Sequence, residues 1–249
     1  FGFPYADAFS LPSGCTLCAR EVIELLEGMM EEERKRRIRD VVGRRTFNVV
    51  PVVEGLYDRG NISAVARTSE ALGFGALHLV RGAGDGFRNS ARTAAGSQKW
   101  LHMEEWGTAE ECLSAAKGMG YQVLATKLCD SAVPTPDVDW TQPTCLVFGN
   151  ELEGISDQAM SMADGNVLVP MDGFVDSFNV SVAAALALYE ANRSRVAQLG
   201  SNGDLTPNQR EILEAIYCLR HFGANGPSIL RETHGRRAEG ALPLVGPGG

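Results

Sequence analysis

Five polar residues stand in three separate segments of this chain. They are Asn61 and Arg67 in NISAVAR (61–67), Glu151 in VFGNELEGIS (147–156), and Ser177 and Asn179 in VPMDGFVDSFNVSVA (169–183). This set does not describe a covalent catalyst. No GxSxG or other nucleophile motif occurs. The histidines (His78, His102, His221, His234) show no metal-ligand spacing. Amides, a hydroxyl, a carboxylate and a guanidinium hold and orient a substrate instead, and the planar fork of arginine suits phosphate. Each segment follows a short apolar run at the point where it gives way to a loop or helix. Their polar groups can therefore meet at one edge of a parallel sheet.

The elements that must position them can be read from periodicity. Phe47–Val53, Ala76–Val80, Tyr121–Ala125, Thr144–Phe148 and Asn166–Val169 are short apolar, strand-like runs. Helices are predicted over 62–72 with Asn61 as cap, over 108–118 with Thr108 and Glu111 as a capping box, over 155–163, and from Val180 to about Ala197. This alternation over 47–197 calls for an α/β fold with a parallel sheet covered on both faces. Ligands on such sheets bind outside the carboxyl ends of the strands, where all three segments lie. Before this region, Glu21–Arg39 reads as a helix behind a Pro/Gly/Ser-rich, loosely ordered arm. After it come Pro207–Phe222, with Thr206 and Gln209 as a capping box, and a Gly/Pro-rich tail over 235–249 expected to be disordered. The organisation is thus an arm with a basic helix (1–46), a catalytic domain (47–198), and a C-terminal helix with its tail (199–249).

Composition narrows the classes. The chain has 249 residues, 44% of them apolar and 22% charged, enough for one full core. No apolar run approaches a membrane span. Six scattered cysteines fit an intracellular, reducing compartment better than a disulfide scaffold. The chain begins at Phe1 rather than a methionine, as a trimmed form would, or one that has shed a peptide addressing it to an organelle; otherwise the cytoplasm is expected. The net charge of −8 speaks weakly against a nucleic-acid partner, but its distribution matters more. Arg34, Lys35, Arg36, Arg37, Arg39, Arg44 and Arg45 crowd into one stretch, and Arg81, Arg88, Arg92 and Lys99 follow a strand. The first set is either a binding face or a solvated helix, since Glu31, Glu32 and Glu33 each stand four residues before a basic partner.

Two weaker patterns carry no function. Gly82, Gly84 and Gly86 follow a strand, but Phe87 occupies the place of the third glycine in a dinucleotide loop. Cys15 and Cys18 form a lone CxxC without the second pair zinc requires.

Taken in order and spacing, the three opening motifs resemble the SpoU/TrmH family of the SPOUT superfamily, S-adenosylmethionine-dependent RNA 2'-O-methyltransferases. The resemblance spans roughly residues 34–198 and includes RTAAGSQKW (92–100) and ATKLCDSAVP (125–134). With no substantial domain before the core, the chain is most similar to the tRNA guanosine branch; methylation of rRNA and a non-catalytic RNA-binding relative are the alternatives. The resemblance implies a C-terminal deep trefoil knot, a homodimer, and no metal. It implies Arg67 as the group that takes the 2'-hydroxyl proton, although arginine is an unusual base; a grip on phosphate is the competing role, and a solvated helix arginine the plain one. Asn61 would orient Arg67 or the substrate, or simply cap a helix. Glu151 would position Asn61 or the ribose, or form a turn salt bridge. Ser177 and Asn179 would hold cofactor or substrate, or cap the long helix. Thr126, Gly149, Val169, Met171, Phe178 and Asn179 would hold the cofactor. Phe178 departs from the family, which often has leucine there. Arg34, Lys35, Arg36, Arg37, Arg44, Arg45 and Arg92 would bind RNA, helped by Arg88, Lys99, Arg193 and Arg195.

Overall fold

The computed structural model describes residues 1–56, 58–81, 98–150 and 153–238. Its elements in chain order are β1 Phe9–Ser10, β2 Thr16–Leu17, α1 Ala19–Glu27, α2 Glu32–Val42, β3 Val49–Glu54, α3 Arg59–Ala71, β4 Ala76–Val80, β5 His102–Trp106, α4 Ala109–Gly118, β6 Gln122–Thr126, β7 Val133–Pro134, β8 Thr144–Phe148, α5 Asp157–Met162, β9 Gly165–Leu168, α6 Val180–Leu199, α7 Pro207–His221 and α8 Gly226–Ala238. The chain divides into two compact units: Phe1–Gly2 with Arg45–Asp204, and Phe3–Arg44 with the segment from Leu205 on.

The larger unit is built on a seven-stranded sheet of order β5-β4-β3-β8-β6-β9-β7. Every adjacent pair is parallel. β3 (VVPVVE) and β8 (TCLVF) are buried along their whole length, as central parallel strands covered on both faces must be. Pro51 sits inside β3, where a missing N–H normally forbids it. The β4 ladder begins only at Val52, so Pro51 falls beyond its end. From β3 the chain moves outward through β4 and β5, then returns to place β8 on the other side of β3. That reversal opens a crevice at the carboxyl ends of β3 and β8. The core packs Phe74, Phe148, Leu146, Leu188 and Trp140 together. Trp140 is wholly buried and its indole N–H donates to the Thr135 carbonyl at 2.9 Å, so its one polar atom is satisfied.

Helix boundaries follow their caps. Thr108 Oγ1 accepts from the Glu111 N–H, Ser156 Oγ from the Ala159 N–H, and Asn179 Oδ1 from the Ser181 N–H. α6 ends at Gly200 in the left-handed conformation (φ 78°). α3 corrects the sequence reading: it starts at Arg59 because Asp58 accepts from the Gly60 N–H, which leaves Asn61 inside the first turn and not at the cap. β5 is an edge strand whose residues are half-buried. Its sequence, HMEEW, has no apolar run to announce it.

In the smaller unit the expected single helix over 21–39 is two, α1 and α2, separated at Gly28–Glu31. Met30 is buried in that break. The arm expected to be loose carries the β1–β2 hairpin, pinned by buried Leu11 and Leu17. α8 continues to Ala238, past the expected start of the tail, and its glycines at 226 and 235 hid it from propensity. All six cysteines are free. The extended residues of β2 separate Cys15 from Cys18, which opposes a bond between them. No helix of the described residues is long and apolar enough to cross a membrane.

Candidate active site

At the carboxyl ends of β6, β8 and β9 lies a cavity of about 260 Å³. Its wall is continuous across three pieces of sequence: Thr126 to Leu128, Phe148 to Asn150, and Val167 to Val169 followed by Met171 and Asp176 to Phe178. Apolar side chains dominate it, and the strand-end backbone supplies directional groups without charge, as in sites for small organic cofactors. Thr126 lines the cavity, and its Oγ1 donates to the Val147 carbonyl at 2.9 Å, so its hydroxyl braces the sheet there.

Gly149 is required by contact. A Cβ there would stand 2.1 Å from the Gly154 carbonyl carbon and 2.4 Å from the Ile155 nitrogen. Those are backbone atoms and cannot swing away. The Gly154 N–H donates to the Asn150 carbonyl at 3.0 Å, and Gly154 takes φ 71°, closing a tight turn. Gly149→Ala must push the turn open and deform the cavity. We expect at least a tenfold loss of S-adenosylmethionine affinity in calorimetry with the circular dichroism spectrum retained; unchanged affinity would show that the turn does not shape the site.

Of the residues expected at the site, Thr126, Gly149, Val169, Met171, Ser177 and Phe178 line this cavity. Asn179 adjoins it at the start of α6, where its Oδ1 caps the helix and its Nδ2 donates to Asn61 Oδ1 at 3.2 Å. The first and third motifs, 118 residues apart, therefore touch. Arg67 does not line the cavity. It lies six residues after Asn61 in α3, so the two side chains leave the helix in well-separated directions. Arg67 is exposed and has no hydrogen bond or ion pair among the described residues. Glu151 and Arg92, with Arg88, lie outside the described residues.

Two arginines expected to bind RNA are structural. Arg45 is 1% exposed and its guanidinium donates to the Glu70 and Phe74 carbonyls and to Glu70 Oε1. Arg195 is wholly buried against Asp204, Asn202 and the Trp140 carbonyl. A buried guanidinium must spend its donors on the protein, and nothing in a run of basic letters marks which members fold inward. Arg193 is exposed but paired with Glu190. In the smaller unit Lys35 pairs with Glu32. Arg34, Arg36 and Arg37 line an open groove together with Glu31, Glu33 and Asp40. Arg44 is exposed.

A second cluster, His78, His102 and Glu104, has metal-ligand residue types within reach of one another. Its hydrogen bonding opposes that use. The Trp106 indole N–H donates to His78 Nδ1 at 3.0 Å, which places the proton of the neutral ring on Nε2, the atom facing Glu104. Burial pushes His78 down to about 3, so the ring is neutral at ordinary pH. A metal at Nε2 would need a donor-bearing Nδ1, and the indole leaves no acceptor there.

An open α/β sheet with a cofactor-sized cavity at the carboxyl ends of its strands, lined by strand ends and a glycine turn, is the architecture of a nucleotide-type cofactor enzyme. The chain belongs to the SpoU rRNA Methylase family, whose pattern matches residues 48–189. It is 40% identical over 166 residues to a tRNA (guanosine(18)-2'-O)-methyltransferase of Escherichia coli (strain K12), covering 67% of this chain and 72% of that one. It is also similar to the crystal structure of the A. aeolicus TrmH/SpoU tRNA modifying enzyme (32% identity, TM-score 0.65, 75% of this chain and 96% of that one). A third likeness is to the SpoU methyltransferase AviRb from Streptomyces viridochromogenes in complex with AdoMet (29% identity, TM-score 0.53, 64% and 62% covered).

The sequence did not point to Glu54. This residue ends β3 and holds Ser156 through both carboxylate oxygens. Its only signal is an acid closing an otherwise apolar strand.

Proposed function

We propose that this protein transfers a methyl group from S-adenosylmethionine to the 2'-hydroxyl of a guanosine in tRNA. The observation that carries the reading is the bond between Asn61 and Asn179, which brings the first motif to the rim of the cavity lined by the second and third. The relatives' named activity agrees with it. S-adenosylmethionine, when bound, supplies an electrophilic methyl group. The apolar wall excludes water from it, and Asn179, fixed by its capping bonds and by Asn61, orients the ribose. Arg67 receives the hydroxyl proton or holds the adjoining phosphate, and Glu151 positions the ribose.

The active form is a homodimer. Val182, Leu186, Tyr189, Val196 and Leu199 form an exposed apolar stripe along α6, a helix whose opposite face is already in the core. An apolar stripe left exposed opposite a buried face calls for a partner on both sides. α3, which carries Arg67, packs on α6, so a copy docked on this stripe would bring its own Arg67 toward the neighbouring cavity. The strand order, with β8 returning between β3 and β6, supports a C-terminal trefoil knot. Arg34, Arg36, Arg37 and Arg44 hold tRNA phosphates, in a reducing intracellular compartment that suits the free thiols.

Purified protein incubated with labelled S-adenosylmethionine and unmodified tRNA is expected to yield 2'-O-methylguanosine on nuclease digestion. Transfer to rRNA fragments alone would replace the substrate, and transfer to neither would end the reading.

A further inference from the structure

A second cavity, of about 300 Å³, opens at the same sheet edge over the ends of β3, β4 and β5. It shares Asn150 and Gly154 with the first, so the tight turn is a wall common to both. Whatever sits in the second cavity lies one turn of backbone away from the cofactor.

Its chemistry is specific. Glu54 is 7% exposed, and no cation among the described residues pairs with it. Oε2 accepts from the Ser156 N–H at 3.0 Å and Oε1 from the Ser156 hydroxyl at 2.7 Å. A carboxylate has about four lone-pair positions, so two remain for further donors. A buried carboxylate calls for them. Arg81 lines the same cavity from the end of β4. Its one ionic neighbour among the described residues, Glu105, is 3.9 Å away, too far for a hydrogen bond, which leaves the guanidinium fork usable. A second carboxylate, Glu153, stands at the rim. Two acids and one arginine repel a phosphate and favour a flat ligand with N–H donors on one edge and acceptors on the next. Guanine has that pattern: N1–H and the N2 amino group beside O6 and N7. Adenine has no paired N–H edge to offer a carboxylate, and single-stranded RNA bases are read on these edges.

We propose that this cavity is the base-recognition subsite for the nucleotide being methylated, with Glu54 accepting from N1–H and the N2 amino group of guanine and Arg81 donating to O6 and N7. The assignment rests on the reading that the protein methylates a guanosine, and it adds which residues select that base. Glu54 and Arg81 are specificity residues here; they bind the base and move no proton.

The test uses the full chain and tRNA transcripts in which the mapped target guanosine is replaced by inosine, which lacks the N2 amino group, or by 7-deazaguanosine, which lacks N7. For the unaltered protein, kcat/KM is expected to fall about 10- to 100-fold on inosine and by a similar factor on 7-deazaguanosine. Glu54→Gln should erase the guanosine–inosine difference. Arg81→Ala, at an exposed position that leaves folding intact, should erase the guanosine–7-deazaguanosine difference. A purely structural Glu54 would lower every substrate by one factor and leave the ratios unchanged, which overturns the proposal. Equal turnover of all three transcripts by the unaltered protein overturns it too. Binding of guanosine 5'-monophosphate against adenosine 5'-monophosphate, read from the Arg81 side-chain resonance, separates the two claims. Guanine-selective binding without transfer to any RNA would sink the activity and keep the subsite. Transfer without base selection would do the reverse.

Discussion

Arg67→Ala is expected to reduce methyl transfer by about a thousandfold or more while leaving S-adenosylmethionine affinity within about twofold. The two halves of this expectation have different origins. Arg67 is exposed and makes no hydrogen bond or ion pair among the described residues, so its removal leaves no unsatisfied partner there. Surface changes of that kind cost about 0.5 kcal/mol or less. It is also absent from the wall of the cavity at the ends of β6, β8 and β9 where we propose that the cofactor binds, so that cavity should bind as before. The large loss must then come from chemistry or from RNA. Arg67→Lys separates these. A role that needs only positive charge near a phosphate is largely restored by lysine. A role that needs the planar fork, or the guanidinium as proton acceptor, is not. Single-turnover rates with saturating tRNA read the chemical step, and filter binding reads RNA affinity. Turnover near that of the unaltered protein in Arg67→Ala would remove this residue from catalysis altogether. Loss of cofactor affinity would mean that α3 shapes the cavity in a way its side-chain positions do not show.

The sequence exposes what depends on local pattern. β4 and β8 occupy the expected residues because buried parallel strands are continuous apolar runs. α7 begins at Pro207 behind the Thr206–Gln209 capping box, and α6 begins after Asn179, because caps are chemical signals that a few letters can carry. The cavity was legible for the same reason: its residues sit at strand ends, and strand ends are visible. What escaped needs the third dimension. β5 pairs with β4 through backbone, so its polar side chains gave no warning. Asp58 outcompeted Asn61 as a cap, since either residue satisfies the rule and only geometry chooses. Arg45 and Arg195 looked like their solvent-exposed neighbours because burial of a charge is decided by partners far away in the chain. The bond between Ser156 and Glu54, 102 residues apart, is invisible to any window.

Asp204→Ala tests the most heavily invested of those distant contacts. Arg195 is wholly buried in α6 and donates to Asp204 Oδ2, with Asn202 Oδ1 at 3.0 Å and the Trp140 carbonyl at 2.9 Å taking its other N–H groups. The same Asp204 oxygen accepts from the Thr46 hydroxyl and the Asn48 amide, each at 2.7 Å. One carboxylate thus ties the segment after α6 to the segment entering β3, at the opposite end of the helix from Asn179. Removing it leaves a guanidinium in the core with no countercharge and two further donors without their acceptor. Breaking a buried pair from one side costs about 3–5 kcal/mol, a large part of the total stability of a domain. The melting temperature should fall by about 10 °C. Arg195→Met with Asp204→Ala removes the stranded charge as well and should recover part of the loss, because it is the unpaired ion, more than the missing bond, that destabilises. The cavity residues are not among the contacts of Asp204, so the folded fraction should bind S-adenosylmethionine normally. Calorimetry on the single and double variants decides the matter: a single variant within about 1 kcal/mol of the parent, or a double variant worse than the single, would mean that Arg195 finds water or another partner and that α6 is held by its apolar face alone.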